Sequence, residues 1–258
     1  DNAEPVILDT VYNSGGNNVG YFVLNQYLGD TTEIKNSFNT IFSKFAARNV
    51  TDIIVDLRYN GGGYVLLQEE LANYLAPNSE NGKMMYAQTF NDKYSQYNRV
   101  ENFAKKGTVS PAKIVFIISQ NTASASEALI NIIQPHAEVK TVGPSTSNGK
   151  PVGFFNIPVG DWYVFPVSLR IVNSLNQGSY FDGFTPDNQV MDGLDKPWGD
   201  LSEDCLASAF KYLTTGSFRP EGRDNIRTDL EMIRSYNTLP SHKYKFMVES
   251  RKNIPGIR

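Results

Sequence analysis

TDIIVDLRYNGGGYVLLQEELANYLA, residues 51–76, opens on an unbroken apolar run, passes through a glycine triplet and continues as a helical segment stopped by Pro77. A short continuous apolar run reads as a strand buried on both faces, the habit of a parallel sheet covered by helices. The order recurs at residues 113–133, where KIVFIIS feeds the turn QNTASAS and the helical EALINII, stopped by Pro135. Two strand–turn–helix units predict an α/β fold, and in such sheets active sites collect at the turns that follow the strands.

The flanking segments fit that frame. VGYFVLNQY (residues 19–27) follows the polar turn NSGGNN and reads as the first central strand. Residues 30–49, DTTEIKNSFNTIFSKFAARN, carry Ile34, Phe38, Ile41, Phe42 and Phe45 on one stripe and predict an amphipathic helix. Between the two units, residues 76–111 are polar and aromatic with one strand expected at KMMYAQTF, and they read equally as a lid or as a loop-rich excursion. GFFNIPV and DWYVFPVSLRIV alternate like an antiparallel ribbon, and SEDCLASAFKYL predicts a closing helix. From Gly216 the chain turns basic, with nine Lys/Arg against five Asp/Glu, which reads as a solvated surface or a docking tail. The expected division is an N-terminal segment (1–18), a catalytic domain (19–215) and a basic tail (216–258).

Composition narrows the function. With 258 residues, 40% hydrophobic and a net charge of −3, the chain can bury a sizeable core and offers no general attraction for nucleic acid or an anionic membrane. The single cysteine, Cys205, excludes an internal disulfide and a thiolate cluster, and reads as a packed thiol. His136 and His242 match no zinc spacing, so neither metal nor cofactor is expected. There is no run of 18 apolar residues to span a membrane. The first residue is Asp1 rather than methionine, which reads either as removal of a signal segment or as excision from a longer protein.

The turn at 121–127, NTASASE, has two readings. Ser124 and Glu127 fit an S-x-x-E capping box that starts a helix. That capping reading is the commoner one for such a stretch, and it is compatible with Ser124 as a nucleophile at a helix N-terminus, where free backbone N–H groups and the helix dipole favour a developing negative oxygen.

Four stretches, IIVDLRYNGGG (53–63), NTASASEAL (121–129), VGPSTSNGK (142–150) and FDGFTPD (181–187), occur in the order and approximate spacing of the C-terminal processing peptidases. The chain resembles these tail-specific proteases, which are serine peptidases with a Ser/Lys dyad, over roughly residues 19–213. The resemblance implies a crotonase-like α/β core and endopeptidase cleavage of polypeptides through an acyl-enzyme. It also implies a site outside the cytoplasm, in the bacterial periplasm or envelope. It maps the nucleophile to Ser124 and the base to Lys150, with Ser126 a neighbour. An oxyanion hole would come from Ala125 and either Gly61 or Gly62.

The chemistry agrees with that mapping, because a serine hydroxyl needs a base within reach and a lysine serves only when burial favours its neutral form. Asp56 and Arg58 are expected to brace the glycine turn. Two departures from the family stand out. Phe154 occupies the position, four residues after the lysine, where many members carry an orienting glutamine. The residues ahead of the first strand are too few for the PDZ domain that usually captures substrate. The rival readings are a hydrolase using His136, a non-catalytic ligand- or peptide-binding module on the same scaffold, and an acyl-CoA enzyme of the crotonase group.

Overall fold

In the computed structural model, residues 4–218 and 247–250 are described. Strands β1 (Val6–Ser14) and β2 (Asn17–Leu24) form an antiparallel hairpin. Residues 1–18, read as a segment ahead of the first strand, therefore contain one. The run VILDTVYNS is only partly buried because β1 is the sheet edge, so it lacks the continuous apolar character of a central strand. Helix α1 (Thr31–Ala47) is capped by Asp30, whose carboxylate accepts from the Thr32 and Glu33 amides at 2.8 and 3.0 Å. Its five predicted stripe residues are all buried.

Next come β3 (Val50–Asp56), α2 (Val65–Leu75), β4 (Met84–Thr89), β5 (Arg99–Asn102), β6 (Lys113–Ile117), α3 (Ala125–Ile133) and β7 (Glu138–Gly143). The chain continues through β8 (Val152–Phe154), β9 (Ile157–Val159), β10 (Trp162–Phe165), β11 (Val167–Asn173), β12 (Asn188–Gln189), α4 (Asp204–Thr215) and β13 (Met247–Ser250). The main sheet has the order β1-β2-β3-β6-β7-β12 and is parallel from β2 onward, so it is mixed.

The apolar runs are explained by layers on both faces. Ile53, Val55, Ile114 and Phe116 pack with α1, α2 and α3 on one side. Ile54, Val115 and Ile117 pack with Cys205, Leu206 and Ala209 of α4 on the other. Each such fully buried side chain stabilises the fold by about 1.5–3 kcal/mol. Cys205 is the packed thiol the sequence implied, and burial pushes its pKa up.

The excursion at 76–111 is not a loose loop. Its strands β4 and β5 join β11 and β8 in an antiparallel sheet ordered β5-β4-β11-β8, and Phe90 stacks on Phe155 with ring centroids 5.5 Å apart. In a third sheet, β10 pairs with β9 and, from the tail, with β13. The rest of the tail's basic run beyond residue 218 lies outside the described residues. Among the described residues no helix is long and apolar enough to cross a membrane.

Candidate active site

The turns after β3 and β6 lie side by side because their parent strands are hydrogen-bonded neighbours. Thr122 Oγ1 donates to the Leu57 carbonyl at 2.8 Å, and the Asn60 carbonyl accepts both the Ala123 amide (3.1 Å) and the Ser126 hydroxyl (3.0 Å). Ser126 is fully buried in that role, as a strut between the two turns.

Beneath the glycine turn, Arg58 pairs with Asp56 at 2.8 Å, Asp192 at 2.7 Å and Glu203 at 2.9 Å. Burial works against its charge, yet Asp56 and Glu203 hold its pKa above the ordinary value. The expected bracing by Asp56 and Arg58 is present and extends to α4 through its N-cap residue, Glu203.

Gly62 has φ +100°, and a Cβ there would lie 2.9 Å from the Ala123 carbonyl oxygen and 3.0 Å from the Ala125 nitrogen. Only glycine combines that conformation with so close an approach. At Gly61 a Cβ would meet nothing within 4 Å. Of the two glycines, Gly62 is the one against the serine turn. Its N–H donates to Asn60 Oδ1 at 2.9 Å.

Ser124 sits at the N-cap of α3 with φ +56° and ψ −113°, a conformation that costs a non-glycine residue about 1–3 kcal/mol. The Ser124 amide donates to Glu127 Oε2 at 3.1 Å, the glutamate half of the predicted capping box. The fully buried Glu127 does more. Its Oε1 accepts from Ser147 Oγ at 2.5 Å and the Gly149 amide at 2.6 Å, and its Oε2 accepts from the Lys150 amide at 2.9 Å. One carboxylate thus fastens the backbone of Ser124 to the backbone of Lys150.

Ser124, Ala125 and Lys150 line one small cavity of about 30 Å³, with Val65, Gln68 and Tyr180 among its other walls. Lys150 Nζ stands 4.5 Å from the centroid of the Phe154 ring. Desolvation lowers the Lys150 pKa, against a smaller upward pull from Glu127. The structure therefore brings Ser124, Ala125, Gly62 and Lys150 together and leaves Gly61 at the exposed outer side of its turn.

His136 is elsewhere. Its ring is buried, with Nδ1 2.7 Å from Glu80 Oε2, Nε2 3.0 Å from Ser174 Oγ, and Phe103 edge-on. The start of the excursion folds over the exit of α3 and covers His136, away from Ser124. His242 lies outside the described residues. Among the described residues there is no group of three or more His, Cys, Asp or Glu placed to hold a metal.

Sequence reasoning did not place three further residues at the site. Glu127 was visible only as a cap, because its contacts to Ser147, Gly149 and Lys150 are 20 to 23 residues away. Gln68 and Tyr180 carried no signal at all: one lies in a helix of otherwise ordinary pattern, the other in an irregular segment.

The sequence model of peptidase family S41 matches residues 18–190. A carboxyl-terminal-processing protease of Picosynechococcus sp. is 29% identical over 156 residues, covering 60% of this chain and 35% of that protein. Among solved structures, a Bacteroides fragilis protein assigned to the S41 proteases superposes with a TM-score of 0.76 at 21% identity, covering 83% of this chain and 59% of the other. The photosystem II D1 C-terminal processing protease gives 0.57 at 19% identity, covering 73% and 48%. The chain spans about a third of the curated relative and half to three-fifths of these two structures. The mixed α/β fold is that of the S41 structures. With a family match across most of its length, this chain belongs to peptidase family S41.

Proposed function

We propose that residues 19–215, with β1 added at the edge, form the catalytic unit of a serine endopeptidase built on a crotonase-like core. In this reading Ser124 is the nucleophile and Lys150 the general base. The observation that carries it is the cavity that Ser124 and Lys150 share, with the backbone amides of both residues donating to one buried carboxylate.

Neutral Lys150 takes the Ser124 Oγ proton as the Oγ–carbon bond forms, and the carbonyl oxygen becomes an oxyanion. The Ala125 N–H, at the first position of α3, has no partner within its helix and can meet that oxygen. The Gly62 N–H is shared with the neutral Asn60 side chain, which a charged oxygen outcompetes because charge-assisted hydrogen bonds are about twice as strong. The Lys150 ammonium then returns its proton to the leaving amine. Water, activated by the same lysine, releases the acyl group.

The polypeptide lies extended along a strand edge, held by main-chain hydrogen bonds. Strand β8 suits this, since it begins two residues after Lys150 and ends its sheet. From the family resemblance we infer an enzyme that works outside the cytoplasm, which fractionation of the native host checks. Of the tail, β13 joins this unit by pairing with β10.

A fluorophosphonate probe tests the nucleophile. Mass mapping should find the adduct on Ser124, and hydrogen exchange should slow in residues 78–111, the excursion that joins the two turns and meets the end of β8 where Phe90 stacks on Phe155. An adduct elsewhere sinks the nucleophile, and unchanged exchange removes the excursion from the groove. A folded chain that resists every acylating probe is instead a binding module.

The glycines are expected to separate. Gly62→Val should lower turnover about a hundredfold or more, the size of an oxyanion-donor loss, while Gly61→Ala, whose Cβ points into open space, should stay within a few-fold of wild type. Equal activity in both variants would remove Gly62 from the mechanism.

A further inference from the structure

The cavity beside Ser124 holds two polar groups that the fold leaves unused. Gln68 of α2 is fully buried, and neither its Nε2 nor its Oε1 has a hydrogen-bond partner. The Tyr180 hydroxyl is likewise buried without a partner, and its ring is fixed by stacking on Phe184 with centroids 4.7 Å apart. Leaving both ends of a buried amide unpaired costs stability, so it calls for an explanation in function. Both residues line the same cavity as Lys150, whose remaining walls include Val65, Ala128, Val152 and Ile171.

A neutral lysine amine has two N–H bonds and one lone pair. It is a useful base only when the lone pair faces the serine hydroxyl, which requires acceptors for both N–H groups. Phe154, which stands where many relatives carry a glutamine, offers a ring face. That face attracts an ammonium but cannot orient a neutral amine by hydrogen bonds.

We propose that Gln68 and Tyr180 are positioning residues for Lys150: Gln68 Oε1 and Tyr180 Oη accept the two amine N–H groups and leave the lone pair directed at Ser124. Protonated or neutral, the lysine nitrogen leaves the face of Phe154 for these two acceptors when it works. The orienting amide has moved from the segment after Lys150 to helix α2. This rests on the Ser/Lys reading above.

The charged and titratable groups facing Lys150 are Glu127, which pulls its pKa up, and Tyr180, whose own pKa burial raises, so that it stays protonated. An acceptor bonds an ammonium more strongly than an amine. Removing Gln68 should therefore weaken catalysis and also move the lysine limb of the pH profile downward.

The test is the rate of Ser124 labelling by a fluorophosphonate, followed against pH. In that step the Oγ–phosphorus bond forms, fluoride leaves and the proton passes to Lys150. Gln68→Met, nearly isosteric and apolar, should keep or raise the melting temperature. It should slow labelling roughly 10- to 100-fold, the scale of a misplaced catalytic group, and shift the limb to lower pH. Gln68→Glu should shift the limb the other way, because a carboxylate holds the ammonium. Tyr180→Phe should repeat the Met result to a smaller degree, and adding Phe154→Gln to Gln68→Met should restore part of the rate.

Replacing a merely structural glutamine would lower the melting temperature and leave the limb in place. Wild-type rate and limb in Gln68→Met and Tyr180→Phe overturn the proposal while the dyad stands. Labelling that survives Lys150→Ala, or a wild-type chain that never labels, overturns the dyad reading itself.

Discussion

Ser124→Ala and Lys150→Ala are each expected to lower peptide hydrolysis by roughly 10⁴-fold or more without unfolding the chain, since nucleophile and base act as one unit. Lys150→Arg should fail equally. A guanidinium stays charged at any working pH and accepts no proton. Ser126→Ala should keep most of the activity, because that hydroxyl is spent on the Asn60 carbonyl.

Activity should rise with pH as Lys150 loses its proton. The midpoint should lie below the value near 10.4 of a free lysine, because desolvation lowers the Lys150 pKa. Replacing His136 should leave that limb untouched, since its contacts are Glu80 and Ser174. The same shift has a consequence for stability. Between the lowered folded value and the ordinary unfolded one, the unfolded chain holds more proton, so wild-type stability should rise with pH across that window. Lys150→Met should flatten this slope in urea melts recorded at several pH values. Near wild-type turnover in Lys150→Ala would end the Ser/Lys mechanism.

Glu127→Gln is expected to do the second-largest damage, and to two properties together. The carboxylate accepts four hydrogen bonds, from Ser124, Ser147, Gly149 and Lys150. An amide has one oxygen, so its NH₂ group would face donors in a fully buried site. Hydrogen bonds to a charged group contribute about 1.5–3 kcal/mol each and do not simply add, so a loss of about 3 kcal/mol is expected in a urea melt. Ser124 labelling should slow about a hundredfold in the fraction that remains folded, because the serine and lysine turns lose their common anchor. Unchanged stability and labelling would show that the two turns hold their places without this carboxylate.

Ser124 carries a further cost in its backbone. Its φ of +56° suits glycine, so Ser124→Gly should be inactive yet more stable than Ser124→Ala. The fold maintains this strained turn through bonds on either side of it, from Ala123 to Asn60 and from the Ser124 amide to Glu127.

Much of the molecule was legible in the chain. The runs around Ile53–Ile54 and Ile114–Val115 are apolar without interruption because both sheet faces are covered, and the α1 stripe repeats at helical spacing because one face is. Burial writes itself into local periodicity, so the parallel core, its helices and the two special turns could be read directly. The catalytic candidates Ser124 and Lys150 stood out by motif.

Pairing over long separations leaves no such trace. Strand β1 is half exposed and β7 carries Glu138 and Lys140, so neither shows the pattern of a central strand. Only tertiary packing decided that Gly62 rather than Gly61 meets the serine turn and that Glu127 reaches Lys150. It also enclosed Gln68 with Tyr180 and folded the excursion into a sheet over His136. Each of these depends on which surfaces meet, and that is set by the summed geometry of distant segments rather than by the spacing of residues within any one of them.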